Sequence, residues 1–297
     1  MSIQKQISRY SNSFGSALPI IVKKSRDILL WNYFRLSRQQ GFVRPYFILS
    51  FDCDTAQDIT VVEGVHARLQ KLGIMPVYAV PGYQLQQGKS VYKKIADTGA
   101  EFINHGYTNH CRYDEETGTY ISSFFYDKLS LEIVREDILR GHEAQINILG
   151  KRPQGFRVPH FGTFQNKKHL AFLFQLLQEL GYVYSTSTVP LFAYRNGPVK
   201  KVAGSFFEIP VSGCFDHPLT VLDSWGFRFA PARRVGEADY VDQFVKIACQ
   251  IRKKGGLLNV YADPSQVYNW DGFFECVESM AKYSIRSYSD LLREIGI

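Results

Sequence analysis

Two aspartates, Asp52 and Asp54, close the apolar run PYFILSF over residues 45–51. Alternate residues of a strand share a face, so both carboxylates point the same way. Like charges that close repel each other. Such a pair persists when a cation or a proton compensates it, and a metal can take one carboxylate while the other stays free as a base. The segment NHGYTNH then places His105 and His110 at the end of a second apolar stretch. Carboxylate oxygen and imidazole nitrogen are the donors that hold zinc-like ions at about 2.0–2.2 Å, and a catalytic site leaves one position for water. Asp54, His105 and His110 would supply three such donors. Blander readings exist for each: Asp54-Thr55 can cap the following helix, and either histidine can be a hydrogen-bonded core residue. Arg157, within the apolar segment GFRVP, needs a carboxylate partner, and Asp52 is the candidate.

These residues require elements that carry them to one place. Of the 297 residues, 45% are hydrophobic, enough for one catalytic domain over residues 45–297 behind a partly helical extension over residues 1–44. From Tyr46 onward short apolar runs alternate with helix-period segments, the pattern of repeated βα units around a parallel sheet. Strands are expected at 45–51, 75–80 (MPVYAV), the short EFIN run, 155–159 (GFRVP), 182–188 (YVYSTST), 206–211 (FFEIPV) and 257–262 (LLNVYA). Helices are expected over 61–72, 91–98, 129–149, 168–180, 240–254, 272–282 and 288–294. About seven strands with intervening helices predict an α/β barrel, and chemistry in such folds sits at the C-terminal strand ends.

The formal charge of +7 is spread over a chain with 21% charged residues, so it marks a basic surface without the dense block that nucleic acid would need. A phosphorylated, lipid-linked or acidic saccharide, or an anionic membrane surface, suits the same balance. Five scattered cysteines without a CxxC pair exclude a disulfide framework and point to a reducing compartment. The apolar run Ala17–Val22 is too short for a signal segment of about 7–15 residues or a span of about 20, which predicts a cytoplasmic protein. The aromatic stretch Asp27–Leu36, flanked by Lys23, Lys24, Arg26, Arg35 and Arg38, suits a peripheral helix at the inner membrane face. The favoured reading of the two is a helix that packs on the domain and closes one end of a barrel.

FDCD, NHGYTNH and GFRVPHFG, in that order and at these distances, resemble the polysaccharide deacetylases of the NodB-homology group, carbohydrate esterase family 4. The resemblance covers roughly residues 45–292. It implies a distorted (β/α)7 barrel with Asp52 as general base, Asp54, His105 and His110 as metal ligands, and Arg157 orienting the base. It also implies one divalent ion, with Zn²⁺ expected and Co²⁺, Ni²⁺ or Fe²⁺ able to occupy the same ligands. The substrate would be an N-acylated amino sugar, nucleotide-, lipid- or polymer-linked, in bacterial surface polysaccharide (lipopolysaccharide or capsule) biosynthesis, and the reaction amide hydrolysis. In that scheme the backbone N–H of His160 meets the developing oxyanion.

Three departures shape the reading. Four residues instead of three separate the histidines, and the leading pair reads DCD; with Thr55, this is similar to the branch that deformylates lipid-linked aminoarabinose. Where the family places its histidine acid, GGLLNVYADP has Asp263, which can act only with a strongly raised pKa. His160 and His217 are possible substitutes, and Phe161 and Trp225 candidate walls for a sugar ring. Besides a deacetylase or deformylase, a catalytically degenerate saccharide binder and a ureide or cyclic amidase on the same barrel remain open readings.

Overall fold

A computed structural model describes residues 25–229 and 236–297; the run Ala17–Val22 and its basic neighbours Lys23 and Lys24 lie outside them. Among the described residues there are ten strands: β1 Pro45–Asp52, β2 Val77–Val80, β3 Phe102–Asn104, β4 Cys111–Asp114, β5 Thr119–Ser122, β6 Gly155–Phe156, β7 Tyr184–Ser185, β8 Lys200–Ala203, β9 Phe206–Glu208 and β10 Gly256–Ala262. Eight form one sheet in the order β10-β1-β2-β3-β6-β7-β9-β8, all parallel except the edge strand β8; β4 and β5 make a separate hairpin. Seven parallel strands in circular chain order give the distorted (β/α)7 barrel expected from the sequence.

The sheet curls until the chain after β9 meets β10. There Ser212 N–H donates to Asn259 O (2.8 Å), Asn259 N–H donates to Ser212 Oγ (2.9 Å), and the Asn259 amide donates to Pro210 O (2.9 Å). This seam is irregular backbone, and the helix over residues 25–39 lies against it. Tyr33 donates to Leu257 O (2.6 Å) and accepts from Leu257 N–H (3.1 Å), while Leu30, Tyr33 and Phe34 are buried in the same apolar cluster as Phe47, Leu49 and Leu258. The helix therefore covers the side seam instead of capping an end of the barrel. On its other face Ile28 and Trp31 are exposed. Among the described residues, no helix is long and apolar enough to cross a membrane.

Period-2 alternation explains what reaches the mouth of the barrel. On β1, Phe47, Leu49, Phe51 and Cys53 join the layer beneath the outer helices, while Tyr46 and Ile48 face the interior, followed by Ser50 and Asp52. β10 repeats the gradient: Leu258, Val260 and Ala262 join the outer layer, whereas Leu257, Asn259, Tyr261 and Asp263 face inward. The short helix Tyr288–Glu294 plugs the bottom, with Tyr288, Leu291 and Leu292 in the interior cluster. Apolar floor and polar mouth are thus written into single strands.

Several elements differ from the expectation. The ladder keeps only Gly155–Phe156 of GFRVP, Tyr184–Ser185 of YVYSTST and Phe206–Glu208 of FFEIPV. Beyond these segments side chains take over from the regular ladder: Val158 N–H donates to Ser187 Oγ, the N–H groups of Ser187 and Thr188 donate to the Glu208 carboxylate of β9, and the Arg157 guanidinium turns to Asp52. The helix expected from Val61 begins at Ala56, because Thr55 forms a capping box with Asp58. The β4–β5 hairpin and the antiparallel β8 escape a reading based on apolar runs, since their burial is partial.

Candidate metal centre and catalytic cleft

Asp54, His105 and His110 converge at the C-terminal ends of β1 and β3. His105 Nε2 lies 3.4 Å from Asp54 Oδ1, and His110 Nε2 lies 3.1 Å from Asp54 Oδ2. The other ring nitrogens set the tautomers. His105 Nδ1–H donates to Arg157 O (2.7 Å) and His110 Nδ1–H to Thr108 O (3.3 Å), so both Nε2 lone pairs face the carboxylate. Asp54 Oδ1 and both Nε2 atoms are buried and have no hydrogen-bond partner. Acceptors aimed at one another in a buried site are unfavourable until a cation or protons enter between them. Burial opposes charge on Asp54, but His110 and His105 more than offset it and hold the carboxyl well below its ordinary range. Burial likewise opposes charge on His105, and Asp54 and Asp52 raise it overall. These three residues are the group that could hold a metal ion among the described residues. Their donor set suits zinc and its neighbours.

Asp52 stands beside this cluster, with Oδ2 3.9 Å from His105 Nε2. Arg157, fully buried, donates from Nη1 to Asp52 Oδ1 at 2.5 Å and from Nη2 to Ser50 Oγ (2.8 Å) and Tyr288 Oη (3.0 Å). Tyr288 in turn donates to Asn259 Oδ1 (2.7 Å), which ties the carboxylate through the barrel interior to the seam. The ion pair expected between Arg157 and Asp52 is therefore present and fixed on several sides.

Above it opens a cleft of about 330 Å³, lined by Asp52, Asp54, His160, Phe161, Trp225 and Asp263 together with Cys111, Ser122, Phe125, Thr163, Asp223 and Tyr261. Phe161 packs on Tyr261 with ring centroids 4.7 Å apart, and the Arg157 guanidinium lies 5.5 Å from the Phe161 ring. Asp263 is 8% exposed, and its Oδ2 accepts from Ser224 Oγ (3.3 Å). Burial first, then the charges of Asp54 and Asp58, push its carboxyl well above the ordinary range.

His160 is a different case. It takes a left-handed backbone (φ 58°), stacks on Phe125 (4.4 Å) and donates Nε2–H to Ser123 O (2.8 Å). Burial and the neighbouring His110 push its pKa down to about 4. A neutral ring whose only proton is committed to a carbonyl is a wall, not a proton donor. His217 is exposed in the turn before Thr220 and does not line the cleft, so neither substitute acid is available.

Sequence reading missed Asp223 and Tyr261, which bond to each other at 3.0 Å, and the hairpin residues Cys111 and Ser122. Asp223 had a signal two residues before Trp225. The hairpin residues had none, since they reach the cleft only by packing.

A curled parallel sheet with a buried Asp/His/His cluster and a separate carboxylate at the strand ends defines the α/β barrels with a candidate metal site at the mouth. Residues 42–185, a span holding Asp52, Asp54, His105, His110 and Arg157, match the family model described as polysaccharide deacetylase. No curated protein matches the chain. Among solved structures it is similar to a Mycobacterium smegmatis protein assigned to the polysaccharide deacetylases (18% identity, TM-score 0.59, 84% of this chain and 88% of that one). It is also similar to one so assigned from Pseudomonas aeruginosa PAO1 (10%, 0.61, 86% and 91%) and to Puue allantoinase (11%, 0.62, 85% and 90%). At these identities the likeness is one of fold.

Proposed function

We propose that the protein hydrolyses the amide of an N-acylated amino sugar, using Asp54, His105 and His110 to hold one divalent ion and Asp52 as general base. The observation that carries this reading is the set of three buried, unpartnered ligand atoms beside an arginine-fixed carboxylate. A bound divalent ion supplies Lewis acidity toward an amide carbonyl and lowers the pKa of a bound water toward about 7. Asp52, kept in place by Arg157, takes the proton of the attacking water. The backbone N–H of His160, at its left-handed turn, serves in this scheme as a donor for the developing oxyanion. Asp263, protonated by virtue of its burial, gives a proton to the leaving nitrogen. Phe161 and Trp225 form the apolar walls on which a sugar ring can rest.

Acetyl and formyl groups fit this chemistry equally, and a lipid-linked sugar deformylase is the near variant, supported by the DCD pair and the longer histidine spacing. Surface polysaccharide biosynthesis, a cytoplasmic location and contact of the N-terminal segment with an anionic membrane complete the proposal. Puue allantoinase favours the ureide hydrolase as a second reading, since it shares the barrel. The test is purified protein, loaded with Zn²⁺ or Co²⁺, incubated with N-acetylated and N-formylated amino sugars and with cyclic ureides. Metal-dependent acetate or formate release is expected. Metal uptake without turnover on any class would favour the degenerate saccharide binder, and failure to bind metal would remove the mechanism.

A further inference from the structure

Asp137 lies on the helix Leu131–Leu149, away from the cleft, and is 3% exposed. Its carboxylate receives the backbone N–H groups of Tyr107 (3.1 Å, Oδ2) and Thr108 (2.8 Å, Oδ1) and the hydroxyl of Tyr126 (2.6 Å, Oδ2). All three partners are donors, so only an acceptor with lone pairs on both oxygens satisfies them together; an amide would turn N–H against N–H. Tyr107 and Thr108 are the middle of the loop between His105 and His110. Thr108 O is also the acceptor that orients His110 Nδ1. The loop has no room to relax toward the helix. A Cβ on Gly106, whose φ is 75°, would lie 2.4 Å from Asp137 Oδ2 and 2.5 Å from Tyr126 Oη, and one on Gly141 would lie 2.4 Å from Gly106 O and from Asn104 Oδ1.

We infer that Asp137, supported by Tyr126, is the positioning residue that sets the spacing of the two histidine ligands. It replaces by a through-space clamp the short loop that three intervening residues would have made. The inference rests on the metal-binding reading above. A buried carboxylate with no ion-pair partner among the described residues is costly to keep, and loop order is what its three donors obtain from it.

The test is Co²⁺ affinity, followed by visible absorbance in competition with a chelator, together with thermal stability of the metal-free protein. Asp137→Asn, which preserves volume, should weaken Co²⁺ binding about ten- to a hundredfold while the protein remains folded at the assay temperature. Tyr126→Phe, which removes one of three donors, should weaken it several-fold with its thermal midpoint nearly unchanged. Excess metal should restore turnover in both. Wild-type Co²⁺ affinity in Asp137→Asn, whatever its stability, would make the residue merely structural and overturn the inference. Should that variant not fold, unchanged affinity in Tyr126→Phe overturns it equally. A wild-type protein that binds no Co²⁺ sinks the metal-binding reading itself, and this inference with it.

Discussion

Two carboxylates at the neighbouring ends of β1 and β10 have environments that suit them to opposite jobs. Asp52 has a guanidinium at 2.5 Å, and Asp263 has burial and neighbouring negative charge. For Asp52→Asn we expect metal content to stay at the wild-type level and kcat to fall by about 10²–10⁴, the usual share of a general base. Elemental analysis beside a turnover assay checks both, and undiminished turnover would remove Asp52 from the mechanism. As the proposed proton donor Asp263 would act only while protonated, so activity should be lost as pH rises through its raised pKa. In Asp263→Asn, kcat should drop about a hundredfold or more and the alkaline limb of the pH–rate profile should vanish. A variant profile that keeps the same limb would assign that limb elsewhere. Asp54, His105, His110, Asp52 and Arg157 were legible as residues because each is a polar side chain out of place at the end of an apolar strand. Asp137 was not among them, although it lies on the buried side of its helix with Val134, Ile138, Gly141 and Gln145. What it binds is backbone, and backbone partners leave no mark in a sequence.

Element by element, caps and close approaches decide where those side chains arrive. Gly141 lets the long helix press against the histidine loop at a distance no Cβ tolerates. Gly141→Ala should therefore cost about 1–3 kcal/mol in chemical denaturation and weaken metal binding as well, since helix and loop must part. A cost under about 0.5 kcal/mol would show that the loop has slack. On the helix Ala56–Lys71, His66 is buried between the hydroxyls of Tyr78 (2.8 Å) and Thr98 (3.1 Å). Thr98 donates its own proton to Ile95 O, so His66 Nε2–H donates to Thr98 and Nδ1 accepts from Tyr78. Burial lowers the pKa of His66, with Glu63 opposing in part. Because the folded value is below the unfolded one, the stability it contributes is present above pH about 6.5 and lost as pH falls through the folded value. Denaturation midpoints of wild type and His66→Gln should consequently differ most near pH 7.5 and converge toward pH about 5. Parallel pH dependences would show that His66 is indifferent to its proton.

For the whole molecule, the helix over residues 25–39 is the element whose role the sequence left open. Its buried Leu30, Tyr33 and Phe34 share the barrel's core, and its hydroxyl bonds reach β10. A chain begun at residue 44 should lose about 5–9 kcal/mol of apolar burial, counting about 1.5–3 kcal/mol for each side chain, and should not fold cooperatively. Circular dichroism with a thermal scan reads this directly, and a sharp transition near that of the full chain would make the helix an appendage. The sequence by itself determined the alternation of strands and helices, the barrel class and the residues fit to bind a metal. Each follows from local periodicity and from the chemistry of single side chains. Only the tertiary structure decided that the seam between β9 and β10 is covered by residues from the start of the chain. The same is true of the hairpin Cys111–Ser122 forming one wall of the cleft, of His217 facing solvent, and of Asp263 being buried among other carboxylates. Those outcomes depend on desolvation and on contacts between residues far apart in the chain, and neither is a property of any local run of amino acids.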